Sequence, residues 1–253
     1  MADDDEQTII LRYGGPNEPP IPQYTSSAAS PLRHDRIVVL TFPLLPAAHD
    51  WTLLDADGVT RTPNYDALAA RYGDIIVKPD NSAASGGGET KQQTMRFAEF
   101  LDRVRSGEAL YLRDWHLVRE LRMRAAARAR GDEKEEEERF YDCPPWFRDD
   151  WLNGFLDLDG EDDYRFVYIG GPGTSTLLHC DVLHSYSWSA NICGQKTWTF
   201  FPPSQTAHLF NARNEQITDI RTASITQFPA FHTKKTTPIT LTQNPGEIVC
   251  VPS

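Results

Sequence analysis

Apolar residues follow two spacings along this chain, one after the other. Tyr65, Leu68, Ala69 and Tyr72 fall at i, i+3, i+4 and i+7, and Gly73 follows them. That period predicts a helix. Thr62-Pro63-Asn64 ahead of it supply a capping hydroxyl and a proline for the first helical position. Met95 to Val104 predicts a second helix, with Phe97, Phe100, Leu101 and Val104 on one face. Pro145 to Leu156 predicts a third, burying Trp146, Trp151, Leu152 and Phe155. Short apolar runs at Ile37 to Leu40, Ile75 to Val77 and Ala109 to Leu112 predict strands, and Asn81 to Thr90 reads as a glycine- and serine-rich loop. After Asp163 the helical period disappears. Tyr164 to Ile169, Thr176 to Val182, Tyr186 to Cys193, Lys196 to Phe201, Ile239 to Leu241 and Glu247 to Val251 read as short strands between Gly and Pro turns. Helices first and strands afterwards predict an α+β fold with a barrel- or jelly-roll-like second half.

Four segments follow. Residues 1–35, broken by Gly14-Gly15-Pro16 and Pro19-Pro20-Ile21-Pro22, read as a flexible tail that docks late if at all. Residues 36–118 hold the N-terminal helical part, 119–139 a charged insertion, and 140–253 the strand-rich core. The insertion runs from Arg119, Arg122, Arg124, Arg128 and Arg130 into Asp132, Glu133 and Glu135 to Glu138. Such blocks form solvated helices or floppy loops.

Charge narrows the function classes. The 253 residues carry 25 basic and 36 acidic groups, a net charge of −11. That excludes a phosphate-neutralising nucleic-acid face and an anionic membrane surface as expected partners. No apolar run reaches the length of a membrane span. Met1-Ala2-Asp3-Asp4-Asp5-Glu6 lacks the profile of a signal peptide, so a cytoplasmic or nuclear location is expected. The four cysteines, Cys143, Cys180, Cys193 and Cys250, form no C-x-x-C pair and read as free, mostly buried thiols.

Chemistry concentrates between Gly170 and Pro203. On a strand, His179 and Asp181 project to one face, with Cys180 on the other. One imidazole and one carboxylate supply two ligands of a facial triad for Fe(II). Ser187, Ser189 and Asn191 share a polar face of the next strand. Lys196 follows, and a buried ammonium beside a polar cavity calls for an anion. Thr176 adds a hydroxyl upstream. A dicarboxylate held by iron at one end and by Lys196 at the other satisfies both groups.

These residues resemble a jumonji-C domain. The resemblance is carried by Tyr168-Ile169-Gly170, Leu178-His179-Cys180-Asp181, the run from Ser185 to Trp198, Phe201-Pro202-Pro203 and Gly246-Glu247-Ile248-Val249-Cys250-Val251-Pro252-Ser253. It extends upstream through Asp74-Ile75-Ile76-Val77, Tyr111 to Leu117 and Tyr164 to Tyr168. More narrowly, the pattern is similar to the jumonji-C lysyl hydroxylases that act on the eukaryotic translation termination factor.

The resemblance implies a double-stranded β-helix with N-terminal helices packed on it, and an oxygenase using Fe(II), 2-oxoglutarate and O2. His179 and Asp181 match the first two iron ligands; Lys196 and Thr176 match partners of the distal carboxylate of 2-oxoglutarate. Ser189 stands where many members have asparagine, with Asn191 on the same face, and Tyr168 is a candidate pocket wall. The family's third ligand is a histidine beyond the Val-Pro-Ser strand, past Ser253; His184, His208 and His232 do not match its position. The expectation is an incomplete barrel with weak iron binding and little turnover. The expected partner is a protein substrate, with the oligomeric state open. Competing readings are a non-catalytic jumonji-C-like protein-binding module, a histone demethylase, and a cupin metalloenzyme of other chemistry. No zinc finger or basic face supports the demethylase.

Overall fold

The computed structural model describes residues 10–13, 17, 36–41, 49–81, 91–128, 140–159, 162–233 and 236–252. In chain order its strands are β1 (Ile10–Tyr13), β2 (Ile37–Thr41), β3 (Thr52–Leu54), β4 (Arg61–Pro63), β5 (Ile76–Val77), β6 (Met95–Arg96), β7 (Tyr111–Trp115), β8 (Val167–Gly170), β9 (Ser187–Ala190), β10 (Lys196–Phe200), β11 (Ile239–Gln243) and β12 (Glu247–Val251). Its α-helices are α1 (Tyr65–Tyr72), α2 (Phe97–Arg105), α3 (Leu117–Arg128), α4 (Trp151–Asp159) and α5 (Pro229–His232). The architecture is α+β with small, mostly antiparallel sheets, and no closed barrel forms among the described residues. Two compact units divide the chain: Met1–Pro63 with Leu177–Ser253, and Asn64–Thr176.

The first unit is built on two layers. One is a four-stranded sheet of order β1-β2-β12-β9, and the other is the antiparallel pair β10-β11. Ile37, Val39, Leu241 and Val249 form the core between them, with Trp198, Phe200, Ile239 and Val251 packed on its margin. Alternation explains the arrangement on β11, where Leu241 is buried between exposed Thr240 and Thr242. β2 and β12 are buried along nearly their whole length, as continuous apolar runs require. Each such side chain contributes about 1.5–3 kcal/mol of burial. The segment read as a tail supplies β1, which pairs in parallel with β2.

The second unit holds α1 to α4. Asn64 caps α1 through its side-chain oxygen, which accepts from the Ala67 N–H at 3.1 Å. Pro63 ends β4 instead of opening the helix. A Cβ at Gly73 would sit 2.2 Å from the Ala69 carbonyl oxygen and 3.1 Å from the Ala98 Cβ, so glycine lets α1 close against α2. On α2, Phe97, Phe100, Leu101 and Val104 are buried as the period predicts, and the Phe97 ring lies 4.7 Å from that of Trp115. The helix opens two residues later than expected, because Met95 and Arg96 pair with β5. The charged block begins inside α3, which buries Leu117, Val118 and Leu121; residues 129–139 and the loop at 82–90 lie outside the described residues.

Two predicted elements differ. Pro145 to Leu156 is split into a single 3-10 turn and α4, which starts where Asp150 accepts from the Asn153 N–H at 2.9 Å. With that start, Trp151 and Phe155 point outward, 80% and 65% exposed, and Asn153 becomes the buried residue. Asn153 is held inward because its side-chain oxygen accepts from the Tyr164 N–H at 2.7 Å. The second difference is Thr176 to Val182, which is not a strand. It crosses into a 3-10 turn at Val182–His184, where Leu183 and His184 both take left-handed backbone angles.

Candidate functional site

Residues 176–182 form no strand to align His179 with Asp181, yet the two side chains still meet. Asp181 keeps extended backbone angles, and His179 Nε2 lies 3.4 Å from Asp181 Oδ1. The His179 Nδ1 donates to the Leu177 carbonyl at 2.8 Å. In a neutral imidazole that bond leaves the Nε2 lone pair facing a carboxylate, an arrangement that wants a proton or a metal cation between them. Asp181 is held below the usual carboxylate range first by His179, then by a hydrogen bond from Ser187 and by the charge of Lys196. It is therefore an anion at neutral pH.

Lys196 opens β10 and faces this carboxylate. Its Nζ sits 4.0 Å from the centroid of the Trp198 ring, one strand period along. Burial pushes its ammonium down to about 8, against the opposing pull of Asp181. The site thus carries one imidazole, one firmly ionised carboxylate and one ammonium on which burial outweighs that carboxylate.

Beneath it lies a residue that the sequence reading missed. Gln243, wholly buried, is the register partner of Lys196. Its Nε2 donates to the carbonyls of Ser189 and Glu247, both at 2.8 Å, and its Oε1 accepts from Trp198 Nε1 at 2.9 Å. One amide thereby joins β9, β10, β11 and β12. A polar residue at the end of a threonine-rich strand gives no sequence signal of burial. Asn191 is drawn into the same support, its Nδ2 donating to the carbonyls of Gly194 at 2.8 Å and Gln243 at 3.2 Å. Ser189 lies on β9 opposite Val249. Ser187 is the member of that polar face that reaches Asp181.

Thr176 and Tyr168 belong to the second unit. The Thr176 hydroxyl lies 3.1 Å from the Tyr111 hydroxyl, and the Tyr168 hydroxyl donates to Asp114 at 2.6 Å. Asp114 sits at the bulge in β7 with a positive φ of 52°. Also in this unit, His116 meets Asp162 and Asp163, a cluster that the sequence reading did not single out. Of the remaining histidines, His232 Nε2 is hydrogen-bonded to the Ala223 carbonyl, and His208 is half-buried. All four thiols are free, but only Cys250 is buried and Cys180 is exposed.

Residues 43–253 match the family described as the cupin-like domain. Similar proteins include the "Arginine-specific demethylase JMJ20" of Arabidopsis thaliana, 36% identical over 82% of this chain and 45% of its own length. The "2-oxoglutarate and iron-dependent oxygenase JMJD4" of Homo sapiens is 31% identical over 76% of this chain and 45% of its own. Its Drosophila melanogaster homolog is 45% identical over 40% of this chain and 20% of its own. The chain spans less than half the length of these relatives. The jumonji-C resemblance and the cupin-like match meet on the same residues, and the chain belongs to the cupin-like domain family, among its jumonji-C members.

Proposed function

We propose that this chain carries the core of an Fe(II)- and 2-oxoglutarate-dependent oxygenase acting on a protein side chain. The observation that carries the reading is the convergence of His179, Asp181 and Lys196. The donor set fits the ion: His179 Nε2 and Asp181 Oδ1 are close enough to reach a single cation with bonds of about 2.1 Å. With 2-oxoglutarate and O2, iron supplies the oxidant for hydroxylating an unactivated C–H bond. The protein's part is positional. The Leu177 carbonyl fixes the imidazole tautomer, Ser187 holds the carboxylate, and Lys196 offers a half-buried positive charge to a distal carboxylate.

The finer reading is lysyl hydroxylation of a translation termination factor. The narrower resemblance of the motifs supports it, as does an acidic chain suited to a basic side chain. The test is calorimetric titration of 2-oxoglutarate in the presence of Fe(II) under anaerobic conditions. Lys196→Ala weakens binding at least about tenfold, the scale of one lost charge-assisted pair. Unchanged affinity sinks the 2-oxoglutarate assignment. For the substrate, mass spectrometry of a termination factor incubated with enzyme separates hydroxylation, a gain of one oxygen on lysine, from loss of a methyl group on arginine.

A further inference from the structure

We infer that the second unit holds a separate divalent-cation site, made by His116, Asp162 and Asp163. It draws on no residue of the His179–Asp181 pair. His116 follows directly on β7, and the two aspartates lie in the connection from α4 to β8. One ligand atom from each falls within 4.8 Å of the others. His116 Nδ1 is 2.7 Å from Asp163 Oδ1 and 3.5 Å from Asp162 Oδ1. Neighbouring ligands around one ion with bonds of about 2.1 Å stand about 3 Å or slightly more apart, so the 3.5 Å pair has that spacing, and the 2.7 Å hydrogen-bonded pair opens by a few tenths of an ångström when the ion replaces its proton. Asp162 Oδ1 accepts from the Asp163 N–H at 2.9 Å, which turns the outer carboxylate back toward the ring. The ring itself is braced edge-on by Phe166 at 4.9 Å.

The independent observation is the second oxygen of Asp163. The side chain is 1% exposed, and Oδ2 is buried with no hydrogen-bond partner. A buried carboxylate oxygen left without a donor is costly, and a bound cation relieves that cost without a donor. One hydrogen bond from His116 satisfies only Oδ1. A second carboxylate, Asp162, stands 3.5 Å from the same nitrogen, which a plain His–Asp dyad does not need. One nitrogen and two carboxylates accommodate a divalent ion that takes both donor types, such as borderline Zn(II) or the harder Mn(II). Occupied, the site ties the α4–β8 connection to the end of β7. Tyr168 follows a few residues along that chain, so the cation also steadies the strand carrying it.

The probe is Mn(II), followed by electron paramagnetic resonance on the whole chain. In an Asp181→Asn background, which disables the other site, one Mn(II) per chain still binds. Adding Asp162→Asn, an exposed and nearly isosteric change, removes it, and His116→Gln does the same. The thermal midpoint then rises with Mn(II) in Asp181→Asn and stays flat in the double variant. Equal binding in the single and double variants overturns the site, as does the absence of any bound Mn(II) in Asp181→Asn. Loss of only the Asp181-dependent ion bears on the oxygenase reading instead, so the two failures are distinguishable.

Discussion

His179 Nε2 and Asp181 Oδ1 lie 3.4 Å apart on a segment that belongs to no strand. Their proximity comes from local extended backbone, the Leu177 carbonyl on one side and Ser187 on the other. Asp181→Asn keeps this shape and removes the charge. Fe(II) affinity is expected to fall at least about tenfold, the lower end of what is lost when a metal site's charged partners are removed. The same change takes away the anion that holds the Lys196 pKa up, so the ammonium titrates lower still. Metal titration together with side-chain NMR of Lys196 checks both.

Lys196 sets a pH dependence with a definite sign. Its pKa is about 8 in the fold against an ordinary 10.5, because burial disfavours the ammonium. Between those values the unfolded chain binds more protons than the native one. Stability therefore rises with pH across that window, and the full penalty stands below pH 8. Anion binding runs the other way and weakens as pH passes 8. Urea midpoints from pH 7 to 10 should climb in the wild type and lose this component in Lys196→Met. At pH 7 the Met variant should be the more stable protein, by about 1 kcal/mol, while losing 2-oxoglutarate. A less stable Met variant contradicts this account.

Much of this was legible in the sequence. The buried face of α2 and the bounds of β12 follow from period and spacing. What was not legible depended on tertiary partners. Trp151 and Phe155 were expected inside because aromatic residues at helical spacing usually are. The Asp150 cap and the bond from Tyr164 to Asn153 fix a different rotation of α4. Gln243 was invisible because its value lies in Ser189 and Trp198, from distant parts of the chain, together with Glu247 across the β11–β12 turn. The expected strand through His179 and Asp181 does not form, and just past it two consecutive non-glycine residues, Leu183 and His184, adopt left-handed angles, which no propensity anticipates.

Gln243→Leu is expected to be strongly destabilising despite similar volume. It strips the indole N–H of Trp198 of its acceptor and takes a donor from the carbonyls of Ser189 and Glu247, the latter still accepting from the Asn191 N–H. Each unsatisfied group costs about 1–3 kcal/mol, and partial rescue by water brings the expected total to about 3 kcal/mol. Denaturant unfolding followed by Trp fluorescence measures it. A loss within 0.5 kcal/mol of zero, as for a typical surface change, contradicts the role given to this amide.

Leu183 offers the opposite case. It is 79% exposed with φ of 56°, so it gives little packing in return for a strained backbone. Leu183→Gly should raise stability by up to about 1 kcal/mol, the net of relieved strain and the extra freedom of unfolded glycine. A rise in the thermal midpoint with unchanged metal binding is the expected result. A fall shows that Leu183 packs in solution.

The pairing of Val39 with Val249 has a kinetic meaning. These neighbours in the central sheet are far apart in sequence, and closing so long a loop is slow. Helices α1 and α2 can form from local contacts early in synthesis. β2 must wait, with its apolar edge exposed, until β12 leaves the ribosome. Among the described residues β9, which carries Ser187, pairs only with β12, so the support of Asp181 waits for β12. The Asp181 carboxylate thus gains its Ser187 support only once β12 is there to hold β9 in place.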